Sequence, residues 1–215
     1  MDLEKFCEYL RNLGFSEKIV EAFKKVKREW FVPEKYKNES YEDIVIPIKE
    51  GVTISQPSVL AYMLEYLELK EDLKVLEIGT GSGFSTALIS YLIGKNGKVI
   101  SIEIDEYAYK YANEKLKKLV KENIIPDNIE LVLGDGSLGY PKEAPYDRII
   151  AHAGCYKIPN PWLWQLKEDG IIIAPIGPSW NQKLTKIIKR KGKLEKQELL
   201  DVIFVPLRGK FGDIL

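Results

Sequence analysis

One histidine and two cysteines among 215 residues leave little from which to build a metal site, a disulfide framework or a Cys–His nucleophile pair. Cys7 and Cys155 stand far apart without metal-ligand spacing; Cys7 falls on the apolar face of a helix and Cys155 reads as a pocket-rim or buried small residue. There is no excess charge either, since 32 basic side chains offset 32 acidic ones, and a nucleic-acid backbone asks for a basic face. The lysine clusters at Lys115–Lys121 and Lys186–Lys193 are interspersed with acids or apolar residues and read as solvated faces. No apolar run is long enough to cross a bilayer, and no N-terminal apolar segment follows a basic one. The expectation is a cytoplasmic location, with no membrane, nucleic-acid or metal partner. A chain 45% hydrophobic and 30% charged can bury the core of one large domain.

What is present centres on Val75–Ser85, VLEIGTGSGFS. Val75, Leu76 and Ile78 suit a buried strand, whereas Gly79, Gly81 and Gly83 permit positive φ and a close backbone approach. The following Ser82–Ile93 reads as a helix, so the loop brings free N–H groups to a helix start. That turn is either a phosphate-type cradle or a tight strand-to-helix connection.

Upstream, helices are expected at Asp2–Leu13 and, capped by Ser16, at Glu17–Val26. Tyr36–Asp43 reads as a surface loop and Ile44–Ile48, with Pro47, as an edge strand or no strand. GVTISQP then leads into a helix at Ser58–Leu67, with Ser55 placed where a helix cap would stand. From Leu73 onward, strands at Lys74–Ile78, Lys98–Glu103, Ile129–Gly134, Tyr146–Ala151 and Gly170–Pro175 alternate with helices at Ser82–Ile93, Glu106–Glu122 and Pro161–Leu166. Lys183–Lys191 and Glu195–Val205 read as an antiparallel hairpin about Gly192. The pattern predicts an α/β doubly wound, Rossmann-like sheet, mainly parallel, with a C-terminal antiparallel hairpin. It forms a single domain over residues 1–215, with 1–50 as a small N-terminal helical cap and loop and 51–215 as the α/β core. Trp162 and Trp164 are expected to pack their helix on the sheet, and His152, just after a strand, to line the pocket.

Open α/β sheets bind ligands outside the carboxyl ends of their strands, where three acids collect: Glu77, Glu103 and Asp135. Glu103 lies 20 residues after Gly83, the distance at which an acid takes both ribose hydroxyls. Asp135 is suited to accept from an exocyclic amine such as adenine's. A dinucleotide dehydrogenase shares the sheet and the ribose acid, but Phe84 occupies the place of the third glycine of G-x-G-x-x-G. Glu77, two residues before the first glycine, sits badly beside a diphosphate and suits a cation. Adenosine at one end and positive charge at the other describe S-adenosylmethionine.

VLEIGTGSGFSTALIS, VISIEID, NIELVLGDGSLGY, APYDRIIAHAG and LKEDGIIIAPIG resemble the successive motifs of class I methyltransferases. GVTISQPSVLAYMLEYL ahead of them, with NQKL and FVPLRG behind, resembles more specifically the protein-L-isoaspartate O-methyltransferase family, from about Arg28 to Gly209. The resemblance implies methyl transfer from S-adenosylmethionine to the α-carboxylate of L-isoaspartyl residues in damaged proteins and peptides, initiating repair through a succinimide. It implies Ser55 as the catalytic residue, and Val52, Thr53, Ile54, Ser55, Glu77, Gly79, Thr80, Gly81, Gly83, Glu103, Ile104, Asp135 and Gly136 at the cofactor. Ser55, Gln56, Val205, Pro206 and Leu207 would line a substrate groove able to hold an extended peptide. One departure is His152-Ala153-Gly154-Cys155-Tyr156, where relatives commonly carry small residues. Rival readings are a transfer-RNA adenine methyltransferase, a small-molecule enzyme acting for instance on a corrin precursor, and a cofactor-binding subunit without turnover.

Overall fold

A computed structural model describes residues 1–212 of the chain. Seven strands make one sheet: β3 (Lys74–Ile78), β4 (Lys98–Glu103), β5 (Ile129–Leu133), β6 (Tyr146–Ala151), β7 (Leu166–Ile176), β8 (Gln182–Arg190) and β9 (Lys193–Val202). Their order is β5-β4-β3-β6-β7-β8-β9. The first five in that order run parallel and the last two antiparallel, as the alternation predicts. The chain builds outward from β3 and returns on its other side with β6, so the strand order reverses between them. The carboxyl ends of β3 and β6 are therefore the place for a ligand.

Strand residues alternate between two apolar layers. Val75, Val99, Ile171 and Ile173 face a core shared with α3 (Pro57–Leu67), α4 (Phe84–Ile93) and α5 (Glu106–Lys121). Leu76, Ile100, Ile149 and Ile172 face a second core around Trp162 of α6 (Asn160–Gln165). The N-terminal helices α1 (Leu3–Asn12) and α2 (Glu17–Lys25) belong to the first of these cores. Phe84 is their anchor, with Phe23 edge-on at 5.6 Å and Phe31 at 5.3 Å between ring centroids. The ring that breaks the dinucleotide pattern is thus where the N-terminal helices dock.

Several expectations need correction. Pro47 does lie on an edge, but β1 (Ile46–Lys49) pairs with an unexpected β2 (Val52–Ile54), closing a hairpin at Gly51 with φ +73°. Tyr36–Asp43 is not a plain surface loop: a 3-10 turn spans Glu34–Glu39, and Tyr41 is buried against Phe6. Trp162 packs as expected, its indole N–H bonded to Gly136 O at 2.9 Å, whereas Trp164 is 74% exposed. A six-residue helix offers one inward stripe, and Trp162 fills it. Strand β7 starts at Leu166, earlier than expected, because the chain passes from α6 straight into pairing with Tyr146. No described helix is long and apolar enough to cross a membrane.

Candidate active site

The ends of β3, β4 and β6, the β1–β2 hairpin and the segment after β9 enclose a cleft of about 950 Å³. The glycine loop forms its floor. Gly79, Gly81 and Gly83 all have positive φ, and the amides of these three glycines are used internally: Gly79 N donates to Ile102 O, Gly81 N to Glu103 Oε2 and Gly83 N to Thr80 O. A phosphate cradle needs those N–H groups free, so the loop is a tight connection that presents backbone to the ligand. A Cβ on Gly81 would touch Thr53 O at 3.4 Å, which measures how closely the hairpin lies over the loop. Gly83 instead serves packing, since its Cβ would meet Ala112 at 3.1 Å, and it does not line the cleft.

Glu103 lines the cleft at the end of β4, its two oxygens fixed by Gly81 N and Asp105 N, each at 2.9 Å. A carboxylate has about four acceptor sites, so two directions remain for a diol. Glu77 is fully buried beneath the loop and does not line the cleft. Its Oε2 accepts from Thr86 and Ser101, its Oε1 lies 3.1 Å from His152 Nε2, and Thr80 joins through Ser101. Asp135 also stands behind the wall. Its Oδ1 accepts from Ser137 N and Oγ, and its Oδ2 from Lys210 N, so it holds the turn that presents Gly136 to the cleft. Val52, Thr53, Ile54, Gly79, Thr80 and Ile104 line the cleft, and so do Ser55, Gln56 and Val205–Leu207.

Ser55 is not the cap of α3. Gln56 holds the cap position, and Asp43, far back in sequence, does the capping. Asp43 Oδ1 accepts from Ser58 N, and Oδ2 from Ser58 Oγ, Gln56 Nε2 and Tyr9 OH, all at 2.8–2.9 Å. Burial pushes the Asp43 carboxyl upward, but these four donors outweigh it and hold it below the ordinary aspartate value. The Gln56 amide is thereby tied to the protein, while the Ser55 hydroxyl has no partner among the described residues and stays open to the cleft. The backbone of Ser55 is held from below by Arg28, which is completely buried and donates to the carbonyls of Ser40, Glu42, Ile44 and Ser55. Burial brings the Arg28 guanidinium down to about 10, with Asp43 opposing, so it remains charged at neutral pH.

Arg28 and Asp43 carry no local sequence signal, because each acts on groups 12 to 34 residues away. Gln182 has no sequence signal beyond its place in NQKL; it is buried at the cleft and clasps Phe204 N and O, fixing the segment that carries Val205. Lys49 closes the hairpin onto the rim of the cleft through an ion pair with Asp105 at 2.7 Å.

A cleft of this volume at the switch point suits a nucleoside-sized ligand. An acid at the cleft for a ribose, glycine amides already bonded within the protein and a buried carboxylate near the loop fit S-adenosylmethionine and not a dinucleotide. The sheet and site define a class I S-adenosylmethionine-dependent methyltransferase. The family model for protein-L-isoaspartate(D-aspartate) O-methyltransferase matches residues 1–212. A protein-L-isoaspartate O-methyltransferase of Archaeoglobus fulgidus is 45% identical over 97% of this chain and 94% of its own length. A solved protein-L-isoaspartate O-methyltransferase superposes with a TM-score of 0.88 at 32% identity, over 98% of this chain and 67% of that one. A Plasmodium falciparum protein of the same description, solved with S-adenosyl-L-homocysteine, superposes with a TM-score of 0.86 at 26% identity, over 97% and 99% of the two chains. The chain belongs to the protein-L-isoaspartate(D-aspartate) O-methyltransferase family.

Proposed function

We propose that the protein methylates the free α-carboxylate of L-isoaspartyl residues in damaged proteins and peptides. The observation that carries this reading is a serine hydroxyl without a partner among the described residues, on a backbone held by buried Arg28, in the lining of a cofactor-sized cleft. S-adenosylmethionine, when bound, supplies an electrophilic methyl group on a sulfonium.

The nucleophile needs no base, because an α-carboxylate with a pKa of about 3.5 is already ionised at neutral pH. Ser55 Oγ–H orients one carboxylate oxygen by a hydrogen bond so that the other points at the methyl carbon. The residue thus supplies alignment, and a near-attack separation of ~3–3.5 Å is what alignment must achieve. Glu103 takes the ribose hydroxyls, and Gly79–Gly81, Gly136 and Ile104 wall the cofactor. Asp135 and Gly83 contribute by holding that wall.

The carboxylate and the sulfonium neutralise one another as they react, so excluding water favours the step. The β1–β2 hairpin does this, lying over Gly81 and tied down by Lys49 and Asp105. The peptide lies extended between Ser55 and Val205–Leu207, a segment that Gly154 fixes by bonds to Val205 O and Leu207 N. Trp180 and Ile203, 78% and 77% exposed, line the same cleft and offer apolar surface to the residues flanking the isoaspartate. The ester then loses methanol to a succinimide without further help from the protein.

The test is transfer of labelled methyl from S-adenosylmethionine to an isoaspartyl peptide, with the normal aspartyl twin and transfer RNA as controls. Base-labile label on the isoaspartyl peptide alone is expected; label on the RNA, or equal label on both peptides, overturns the reading.

A further inference from the structure

Glu77 has an acid's charge and a poor acid's access. It is fully buried, and of its hydrogen-bond partners among the described residues only His152 lines the cleft. The histidine follows β6 directly, its own N–H bonded to Ile78 O at 2.9 Å, so its ring is set beside the first glycine of the loop. Nε2 lies 3.1 Å from Glu77 Oε1 and 2.9 Å from Ser85 Oγ. A carboxylate can only accept, so Nε2 carries the proton, shared between the two oxygens. In that tautomer Nδ1 is a lone-pair acceptor. It has no partner among the described residues, it is not sealed from solvent, and the residue lines the cleft.

The sheet order says what meets that acceptor. Glu103 closes β4 and His152 follows β6, on opposite sides of β3. Two strand spacings separate them, roughly 10 Å, with the glycine loop between. A ligand held at Glu103 by its ribose and laid across the loop reaches His152 with its far end. For S-adenosylmethionine that end is an amino acid, and its ammonium is the group that donates.

We infer that His152, and not Glu77, is the residue that receives the cofactor's ammonium, with Nδ1 as acceptor and Glu77 fixing the ring from behind. Glu77 acts through His152 as a positioning residue. The inference rests on the cofactor reading above and adds to it a contact residue peculiar to the histidine in this chain.

Calorimetry with S-adenosylhomocysteine and with methylthioadenosine, which lacks the amino-acid end, tests it. His152→Gln keeps a donor for Glu77 but moves the acceptor, and should weaken S-adenosylhomocysteine roughly tenfold or more, the worth of a hydrogen bond to a charged group. It should leave methylthioadenosine within about twofold by the same reasoning. His152→Asn, whose amide oxygen can occupy the place of Nδ1, should recover most of the lost affinity. Equal losses for both ligands, in folded protein with an unchanged melting temperature, would show a structural role and overturn the inference. So would unchanged binding of S-adenosylhomocysteine in both variants. Wild-type protein that bound neither ligand would instead overturn the cofactor reading itself.

Discussion

Replacing Asp43 by asparagine removes one charge and alters almost no volume, yet it touches the start of α3, α1 and the Ser55–Gln56 turn together. Four donors converge on the carboxylate, from Tyr9, Gln56 and the amide and hydroxyl of Ser58. Asparagine offers one acceptor oxygen and turns an NH₂ toward the rest. The two hydroxyls can rotate to accept, but the Gln56 amide can accept only by flipping, which gives up its bond to Ser58 Oγ, leaving one or two bonds lost. Hydrogen bonds to charged groups contribute ~1.5–3 kcal/mol, and partial exposure of the site places the net at the lower end, about 2–3 kcal/mol. For a chain of this size that is a fall in melting temperature of roughly 5–10 °C. The folded Asp43 carboxyl lies below its ordinary value of 3.8, so its stabilisation is complete above that value and is lost as pH falls through the folded one. Thermal unfolding of both proteins at neutral pH and in acid should show a full gap in the first and a closing gap in the second. A gap that persists undiminished in acid, or none at neutral pH, would refute this reasoning.

Ser55→Ala should lower turnover on an isoaspartyl peptide by about 10–100-fold, one oriented hydrogen bond, with calorimetric affinity for S-adenosylhomocysteine nearly unchanged. Full activity would remove the orienting role. Glu103→Ala should weaken that affinity by roughly 100-fold, since two hydroxyls lose their acceptor and the loop loses the partner of Gly81 N. Unchanged affinity would refute the ribose assignment. Arg28→Lys keeps the charge but cannot reach four carbonyls, and should cost about 3 kcal/mol in denaturant unfolding and reduce turnover along with it. Wild-type stability in that variant would show that the guanidinium fork is dispensable.

The parallel sheet was legible because strand and helix periods alternate cleanly from Leu73 onward, and every strand pairing but β3 with β6 joins sequence neighbours. Glu103 and the hairpin residues Val52–Ser55 were placed at the cleft by position and resemblance, and there they lie. Glu77 and Asp135 stand at the expected strand ends but outside the lining of the cleft: a period-two pattern says which face a residue takes, not what covers it. Phe84 breaks the dinucleotide pattern in the sequence, and in the fold its larger role is to anchor α2 and Phe31. Arg28 and Asp43 carry no local signature, because their partners are carbonyls and amides brought together only by the fold.

The fate of an isoaspartyl peptide incubated with the protein and S-adenosylmethionine decides the reaction. Mass spectrometry over time should show the gain of one methyl group, then loss of methanol to the succinimide, then the appearance of the normal aspartyl peptide, while the aspartyl twin stays unmodified. An isoaspartyl peptide that gained no methyl group, or a twin methylated as fast, would contradict it.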